Sequence, residues 1–390
     1  MSICDPIRLG VAGLGRGFML TLPSIRHDPH VRLVACASRR AESRAAFQAA
    51  FGGAAYASVE ELCADPTVEA VYVATPHEMH RAHAEAAARA GKHILVEKPL
   101  AITLEDADAI VAAARAAGVQ LITGPSHSFD QPVLKARALI GSGRFGSVRM
   151  IHAFNYTDFL YRPRRPEELD TARGGGVVFS QAVHQIDVVR LLMGARAETV
   201  IAATGRWDPE RPTEGAYAAL ITFRGGGFAN IVYSGYAHFD SDMFQGWIGE
   251  LGTAKDPAAH GQARRALSAA RTPEAEASLK ARRGFGEGAQ AAVPPAPHAE
   301  HFGPVIVSCA RADLRLTPEG VEIWGDEARD FVPAPPDPAP RSPVLRALHA
   351  AIRHGQPPPQ ADDWGRETLE IAHAILASAR SGAPVALGRH

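Results

Sequence analysis

The stretch Ile7-Arg8-Leu9-Gly10-Val11-Ala12-Gly13-Leu14-Gly15-Arg16-Gly17-Phe18 decides the architecture of this chain. An apolar run leads directly into a glycine-rich loop, and a helical pattern follows. Gly13 permits a tight turn, and Gly15 lets the backbone approach a pyrophosphate at the N-terminus of the next helix. The spacing is imperfect. A third glycine is expected at position 18, which is Phe18, and Gly17 stands one place early. A plain strand-to-helix turn also needs glycine. The position of this loop on the first strand of a strand–helix series is what makes it a dinucleotide signal.

Outward from the loop, apolar runs at 7–11, 31–37, 70–74, 93–96 and 119–123 alternate with alanine-rich helical stretches. Ser58-Val59-Glu60-Glu61 and Thr103-Leu104-Glu105-Asp106 have capping-box spacing, and Gly91 and Gly118 stand where a left-handed C-cap is wanted. The alternation predicts a doubly wound parallel sheet over 1–125, covered by helices on both faces. Beyond Gly124 the pattern changes. A helix over 131–140 leads to an alternating strand over 148–155 and an arginine-rich loop. The triplet Gly174-Gly175-Gly176 then precedes a helix, and strands follow at 197–205, 216–223, 227–236, 305–309, 313–316 and 321–324. This predicts an α+β domain over 126–390 with a mainly antiparallel sheet, one face of it open. Residues 255–301, rich in Ala, Arg, Pro and Gly, read as a long insertion, either partly helical or mobile.

The 390 residues carry a formal net charge of -1 and are 46% hydrophobic, so no basic field draws the chain to nucleic acid or to an anionic membrane. No apolar run approaches the roughly 18 residues that span a bilayer, and the N-terminus lacks the blocks of a signal peptide. Cys4, Cys36, Cys63 and Cys309 are scattered without a CxxC pair, which argues against a metal cluster and for a reducing cytoplasm.

Two features carry chemistry. The run His93-Ile94-Leu95-Val96-Glu97-Lys98-Pro99 puts a lysine where a buried strand meets the carboxyl edge of the sheet, the edge at which such folds hold ligands. Lys98 is thus a candidate acid/base beside a cofactor. The second strand ends in Ser38-Arg39-Arg40 rather than in the acidic residue that usually holds an NAD ribose. A hydroxyl and two guanidiniums suit a 2′-phosphate, favouring NADP over NAD, although Ser38 could equally cap the next helix with its arginines in solvent.

Together, the Gly13/Gly15 loop, Ala74-Thr75-Pro76 with His80, Ala90-Gly91-Lys92-His93 leading into Glu97-Lys98-Pro99, and the glycine triplet with His184 and Asp187 resemble the glucose-fructose oxidoreductase / inositol dehydrogenase / MocA (Gfo/Idh/MocA) family. The resemblance implies a Rossmann domain, then an open-faced sheet domain, with a small-molecule substrate between them. It also implies a homo-oligomer, dimer or tetramer, packed through the sheets. The candidate cofactor contacts are Gly13, Gly15, Arg16, Ser38, Arg39, Arg40, Thr75, Pro76, His80, Glu97 and Lys98. Lys98 and His184 are the candidate catalytic pair, and no metal site is expected. Where the family carries an Asp four residues before that histidine, this chain has Ser180.

A narrower resemblance, through Gly176–Asp187, His238-Phe239-Asp240-Ser241-Asp242 and Phe302–Cys309, points to the branch of phthalate dihydrodiol (4,5-dihydroxyphthalate) dehydrogenases. Arg162, Arg164, Arg165 and Arg173 would suit a dianionic aromatic substrate, because guanidinium forks hold carboxylates bidentately. Neighbouring Glu167, Glu168 and Asp170 could pair with them instead. Candidate substrate contacts are Tyr156, Arg162, Arg164, Ser180, His184 and Asp187. The expected activity is hydride transfer between NAD(P) and a cyclic diol such as a phthalate cis-dihydrodiol. A sugar or inositol dehydrogenase, an NAD-dependent glycosidase and a non-catalytic dinucleotide sensor are the alternatives.

Overall fold

The computed structural model describes residues 5–270, 272–286 and 296–388, so Cys4 and residues 287–295 of the insertion lie outside it. The chain forms two compact units. The first takes the chain up to Pro125, Ser278–Pro295 and Pro338–Leu369; the second takes Ser126–Ala277, Ala296–Asp337 and Glu370–His390. Composition predicts one domain over 126–390, yet two of its stretches return to the first unit.

In the first unit, β1 (Ile7–Ala12), β2 (Val31–Ala37), β3 (Ala54–Tyr56), β4 (Ala70–Val73), β5 (His93–Val96) and β6 (Leu121–Thr123) pair in the order β3-β2-β1-β4-β5-β6. Every pairing is parallel. This is the doubly wound order in which ligands sit at the carboxyl edge where the strand order reverses. Helices α1 (Arg16–His27), α2 (Ala41–Phe51), α3 (Val59–Ala64), α4 (His80–Arg89) and α5 (Leu104–Ala117) connect the strands. The capping box at Ser58 is formed, as is the Thr103 cap of α5. Strands buried on both faces read as continuous apolar runs, and Val71, Tyr72, Val73, Ile94, Leu95 and Val96 are indeed fully buried. β3 escapes sequence detection because Ala54-Ala55-Tyr56 is too short to show a period.

In the second unit, β7 (Val148–Tyr156), β8 (Ala197–Gly205), β9 (Ala216–Phe223), β10 (Phe228–Ser234), β11 (Val305–Cys309), β12 (Ala312–Thr317), β13 (Gly320–Gly325), β14 (Arg329–Pro333) and β15 (Val385–Ala386) form one sheet. Its order is β14-β13-β12-β11-β7-β10-β9-β8-β15. All pairs are antiparallel except β7 with β10. α6 (Gln131–Gly141) and α7 (Val183–Met193) pack on one face. On the opposite face Met150, Ile201, Leu220, Phe228, Ile306, Trp324 and Phe331 are each 38–46% exposed. The insertion contains α8 (Gln262–Ala269) and α9 (Pro273–Ala281).

The returning stretch 338–369 carries α10 (Ser342–His354) and the start of α11 (Trp364–Ser381). Val344, Leu345, Leu348 and Ala351 of α10 are buried, and Arg353 donates to both Glu69 carboxylate oxygens at 3.0 Å. The helical period makes α10 legible as amphipathic, but it carries no mark of which sheet it covers.

Candidate functional site

The first unit contains a cradle of the kind a pyrophosphate needs. Gly13 has φ +92°, and a Cβ there would lie 2.8 Å from the Ala74 carbonyl. Only glycine therefore lets the loop pass this close to the end of β4. A Cβ on Gly15 would meet nothing within 4 Å. Gly15 stands at the N-cap of α1 and makes no side-chain capping bond, which leaves the positive end of the helix for an anion. Gly17 supplies the close packing expected of position 18: a Cβ there would lie 2.9 Å from the Glu97 carboxylate. Phe18 is instead fully buried. These features fit a dinucleotide, whose phosphates the backbone N–H groups at the start of α1 would hold.

At the end of β2, the Ser38 hydroxyl accepts from the Arg40 N–H at 3.3 Å, and Arg39 and Arg40 are exposed. Arg44, which the sequence pattern does not single out, fixes this turn by donating to the carbonyls of Ser38 (2.7 Å) and Arg39 (3.1 Å). The Thr75 hydroxyl lies 2.9 Å from His83 Nδ1. Burial holds the His83 imidazole below its ordinary pKa. His80 is expected from sequence to touch the cofactor, but it is fully buried. Its Nδ1 lies 3.0 Å from the Pro99 carbonyl and its Nε2 3.0 Å from that of Thr75. Both ring nitrogens face backbone carbonyls, to one of which the neutral ring donates, so His80 packs between the loop after β4 and the segment after β5.

Glu97 is likewise engaged within the protein. Its carboxylate accepts from Tyr72 Oη at 2.5 Å and lies 3.6 Å from Arg341. It faces the underside of α1 at Gly17. Burial, with Glu97 adjacent, pushes the Tyr72 phenol well above its ordinary range. Lys98 follows, half-buried and joined to Pro99 by a cis bond. Thiol chemistry is disfavoured here, because burial pushes Cys36 up to about 12 and Cys63 up to about 11.

In the second unit, Ser180 lies in a π-helical turn, Val178–Ala182, that leads into α7. His184 and Asp187 sit on α7 and are buried. The last glycine of the triplet is explained by Glu214. Gly176 has φ +82°, and a Cβ there would fall 2.0 Å from the Glu214 carboxylate. That carboxylate accepts from the Val178 N–H at 3.1 Å and from the hydroxyls of Thr171 and Thr213. Burial pushes its pKa up, against those hydrogen bonds.

Sequence reasoning misses His127. Its ring centroid lies 4.6 Å from that of His184, and Phe302 packs against both rings at 4.8 and 4.9 Å. Asp130 Oδ2 is 2.7 Å from His127 Nδ1. Burial opposes the charged imidazole, but Asp130, Glu300 and Glu250 outweigh it and raise the His127 pKa. The available signal is a histidine three residues before an aspartate, just past the end of the last strand of the first sheet.

The candidate substrate residues Tyr156, Arg162 and Arg164 all lie in the second unit. On β7 the buried residues are Ile151, Ala153 and Asn155, so the two-residue period puts Tyr156 on the face shared by Met150 and Phe154. That face is opposite the one carrying α7 and His184. The arginines have acids within their own unit: Arg162 with Asp158 (3.0 Å) and Glu250 (3.8 Å), and Arg165 with Glu167 (3.1 Å) and Glu168 (3.6 Å). Arg164 stacks 3.5 Å from the Phe159 ring centroid, and its backbone N–H donates to Glu276. Arg162 and Arg165 of this loop are paired locally, whereas Arg173 is exposed.

Comparison with known proteins sets this geometry in context. Residues 7–124 match the oxidoreductase family with NAD-binding Rossmann fold, and residues 133–255 match the GFO/IDH/MocA C-terminal domain. The chain belongs to the Gfo/Idh/MocA oxidoreductases. It is 46% identical to a 1-carboxy-3-chloro-3,4-dihydroxycyclohexa-1,5-diene dehydrogenase of Comamonas testosteroni, covering 98% of this chain and 96% of that protein. A 1,5-anhydro-D-fructose reductase of Ensifer adhaerens is 44% identical, over 41% of this chain and 49% of the reductase. A crystal structure of a Bordetella bronchiseptica RB50 protein of inferred dehydrogenase activity superposes with a TM-score of 0.92 at 42% identity, covering 98% of this chain and 100% of that one. As a member of the Gfo/Idh/MocA family the protein is a nicotinamide-dependent dehydrogenase. Among the described residues no cluster of His, Cys, Asp or Glu is placed to hold a metal ion, and no helix is long and apolar enough to cross a membrane.

Proposed function

We propose that this dehydrogenase oxidises a carboxylated cyclohexadiene diol, a class that includes phthalate cis-dihydrodiols. The observation that carries this reading is the 46% identity, over nearly the whole of both chains, with an enzyme named for a carboxy-dihydroxycyclohexadiene. A bound nicotinamide would supply the hydride acceptor for the secondary alcohol carbon. Lys98 takes the hydroxyl proton, and His184 hydrogen-bonds the same oxygen. With Glu97 engaged by Tyr72 and Arg341, that carboxylate is held in a cluster of its own beside Lys98. The ketone product would tautomerise to a catechol, and aromatisation makes the oxidation effectively one-way. NADP is the favoured cofactor, because Ser38-Arg39-Arg40 offers no carboxylate to repel a 2′-phosphate. The exposed apolar face of the second sheet supports a homo-oligomer packed through it, and the scattered cysteines suit work in a reducing cytoplasm.

The test is NADP+ and NAD+ reduction assayed across carboxylated cyclohexadiene diols, inositols, aldoses and anhydro sugars. Turnover of the diols at least tenfold above the others supports the proposal. Preference for a sugar supports the second reading, favoured by the 44% identity with the anhydrofructose reductase. Glycoside cleavage without net cofactor reduction, or dinucleotide binding with no turnover at all, would point to a glycosidase or a sensor.

A further inference from the structure

The insertion returns to the first unit as a short strap, Ala281-Arg282-Arg283-Gly284-Phe285-Gly286, immediately after α9. The Phe285 N–H donates to the Leu14 carbonyl at 2.9 Å, within the loop between Gly13 and Gly15. The Phe285 carbonyl accepts from the Arg40 guanidinium at 3.2 Å and from the Ser43 hydroxyl at 3.0 Å. Its ring packs edge-on against Phe18, 5.6 Å between centroids, and lies 5.7 Å from Phe51. Gly284 is buried, and a Cβ there would come within 3.2 Å of the Leu14 oxygen and 3.3 Å of Arg40.

These contacts join two places with different duties in a dinucleotide-binding sheet. The loop after β1 takes the pyrophosphate, and the end of β2 takes the adenosine ribose. A single residue, Phe285, is bonded to both. The bond to the loop uses a carbonyl, so it does not compete with a phosphate for backbone N–H groups. The bond to Arg40 holds one guanidinium donor on a fixed oxygen, restricting a side chain that is otherwise exposed and rotamer-rich. Nothing in the strand–helix series requires a distant insertion to lie here.

We propose that the strap 281–286 is the outer wall of the adenosine subsite, and that Phe285 keeps that subsite in its binding shape. The ligand class is the adenine-nucleotide half of the cofactor. The proposal rests on the reading of the first unit as a dinucleotide site and adds to it a wall from a segment outside the Rossmann series. Once the strap is anchored by Phe285, an adenosine phosphate binds a formed site; without the anchor, the strap must be ordered during binding.

The test is calorimetric titration of wild type and Phe285→Ala with NADP+, NAD+, 2′,5′-ADP, 5′-AMP and nicotinamide mononucleotide. Phe285→Ala should raise Kd at least fivefold for both dinucleotides and both adenine fragments, and leave the mononucleotide unchanged. In wild-type protein, saturating 2′,5′-ADP should also slow tryptic cleavage at the Arg283–Gly284 bond at least fivefold, a readout that needs no variant to fold. Unchanged Kd values in a folded Phe285→Ala, or cleavage indifferent to 2′,5′-ADP while wild type binds it, would overturn the strap's role and leave the dinucleotide reading standing. If wild type binds none of the five ligands, the dinucleotide reading itself fails and the strap proposal falls with it.

Discussion

Lys98 is the proposed acid/base of the hydride site. If it takes the hydroxyl proton, Lys98→Ala should lower kcat by about 10²–10⁴, the usual range for a positioned acid/base, with dinucleotide Kd changed less than threefold. Stopped-flow kinetics and a binding titration check the two halves, and turnover near the wild-type rate would remove Lys98 from the mechanism. His127 offers a pH test. Its folded pKa is raised with Asp130 at 2.7 Å, so the pair's contribution to stability is fully present below the unfolded value of about 6.5 and is lost as pH rises through the raised value. Asp130→Asn should therefore cost about 1–3 kcal/mol at pH 6 and progressively less above neutrality, measured by urea denaturation across pH. A gap that widens with pH would contradict a charged His127. At this scale the sequence shows which residue types matter, but not where their atoms go. His80 and Glu97 lie in family motifs, and yet one packs between backbone carbonyls of two segments while the other joins Tyr72 and Arg341. Neither partner set is adjacent in sequence, so no spacing rule could reveal it.

Among the elements, the glycine-rich loop and the glycine triplet look alike in sequence and do different things. Gly13 lets the loop pass close to the end of β4 and Gly15 has open space at its Cβ, whereas Gly176 makes room for a buried carboxylate that bonds the start of the π turn. Gly176→Ala should destabilise the protein by roughly 1–3 kcal/mol from backbone strain alone, more once Glu214 is displaced, and calorimetry should show a lower Tm. Gly15→Ala, with open space at its Cβ, should fold at nearly the wild-type Tm yet bind dinucleotide at least tenfold more weakly. A wild-type Kd for Gly15→Ala would mean that the phosphates lie elsewhere. The parallel strands and capped helices of the first unit were legible because burial on both faces and capping chemistry write themselves locally. β3 and β15 were not, being three and two residues long, and exposed β14 lacks an apolar alternation. The strap is the extreme case: its composition resembles a linker, and only its bonds to Leu14, Arg40 and Ser43 distinguish it.

For the whole molecule, the open face of the second sheet carries a prediction of its own. Met150 pairs with Phe228 and Ile201 with Leu220, placing large apolar side chains side by side across strands. Monomers rarely leave such patches to water. The chain should sediment as a dimer or larger, and Leu220→Lys with Phe228→Lys should shift it to monomer while far-UV circular dichroism stays unchanged. A wild-type monomer at micromolar concentration would refute the packing. The sequence by itself determined the doubly wound first sheet, the mainly antiparallel second sheet, the glycine cradle and the lysine at the strand end. Each follows from periods of two and 3.6 residues or from a loop of a dozen. The tertiary structure alone decided that 278–286 and 338–369 return to the first unit, that Tyr156 faces away from His184, that Arg162 and Arg165 meet acids of their own unit, and that His127 sits against His184. Those facts depend on contacts between residues far apart along the chain, and a local pattern carries no record of its distant partner.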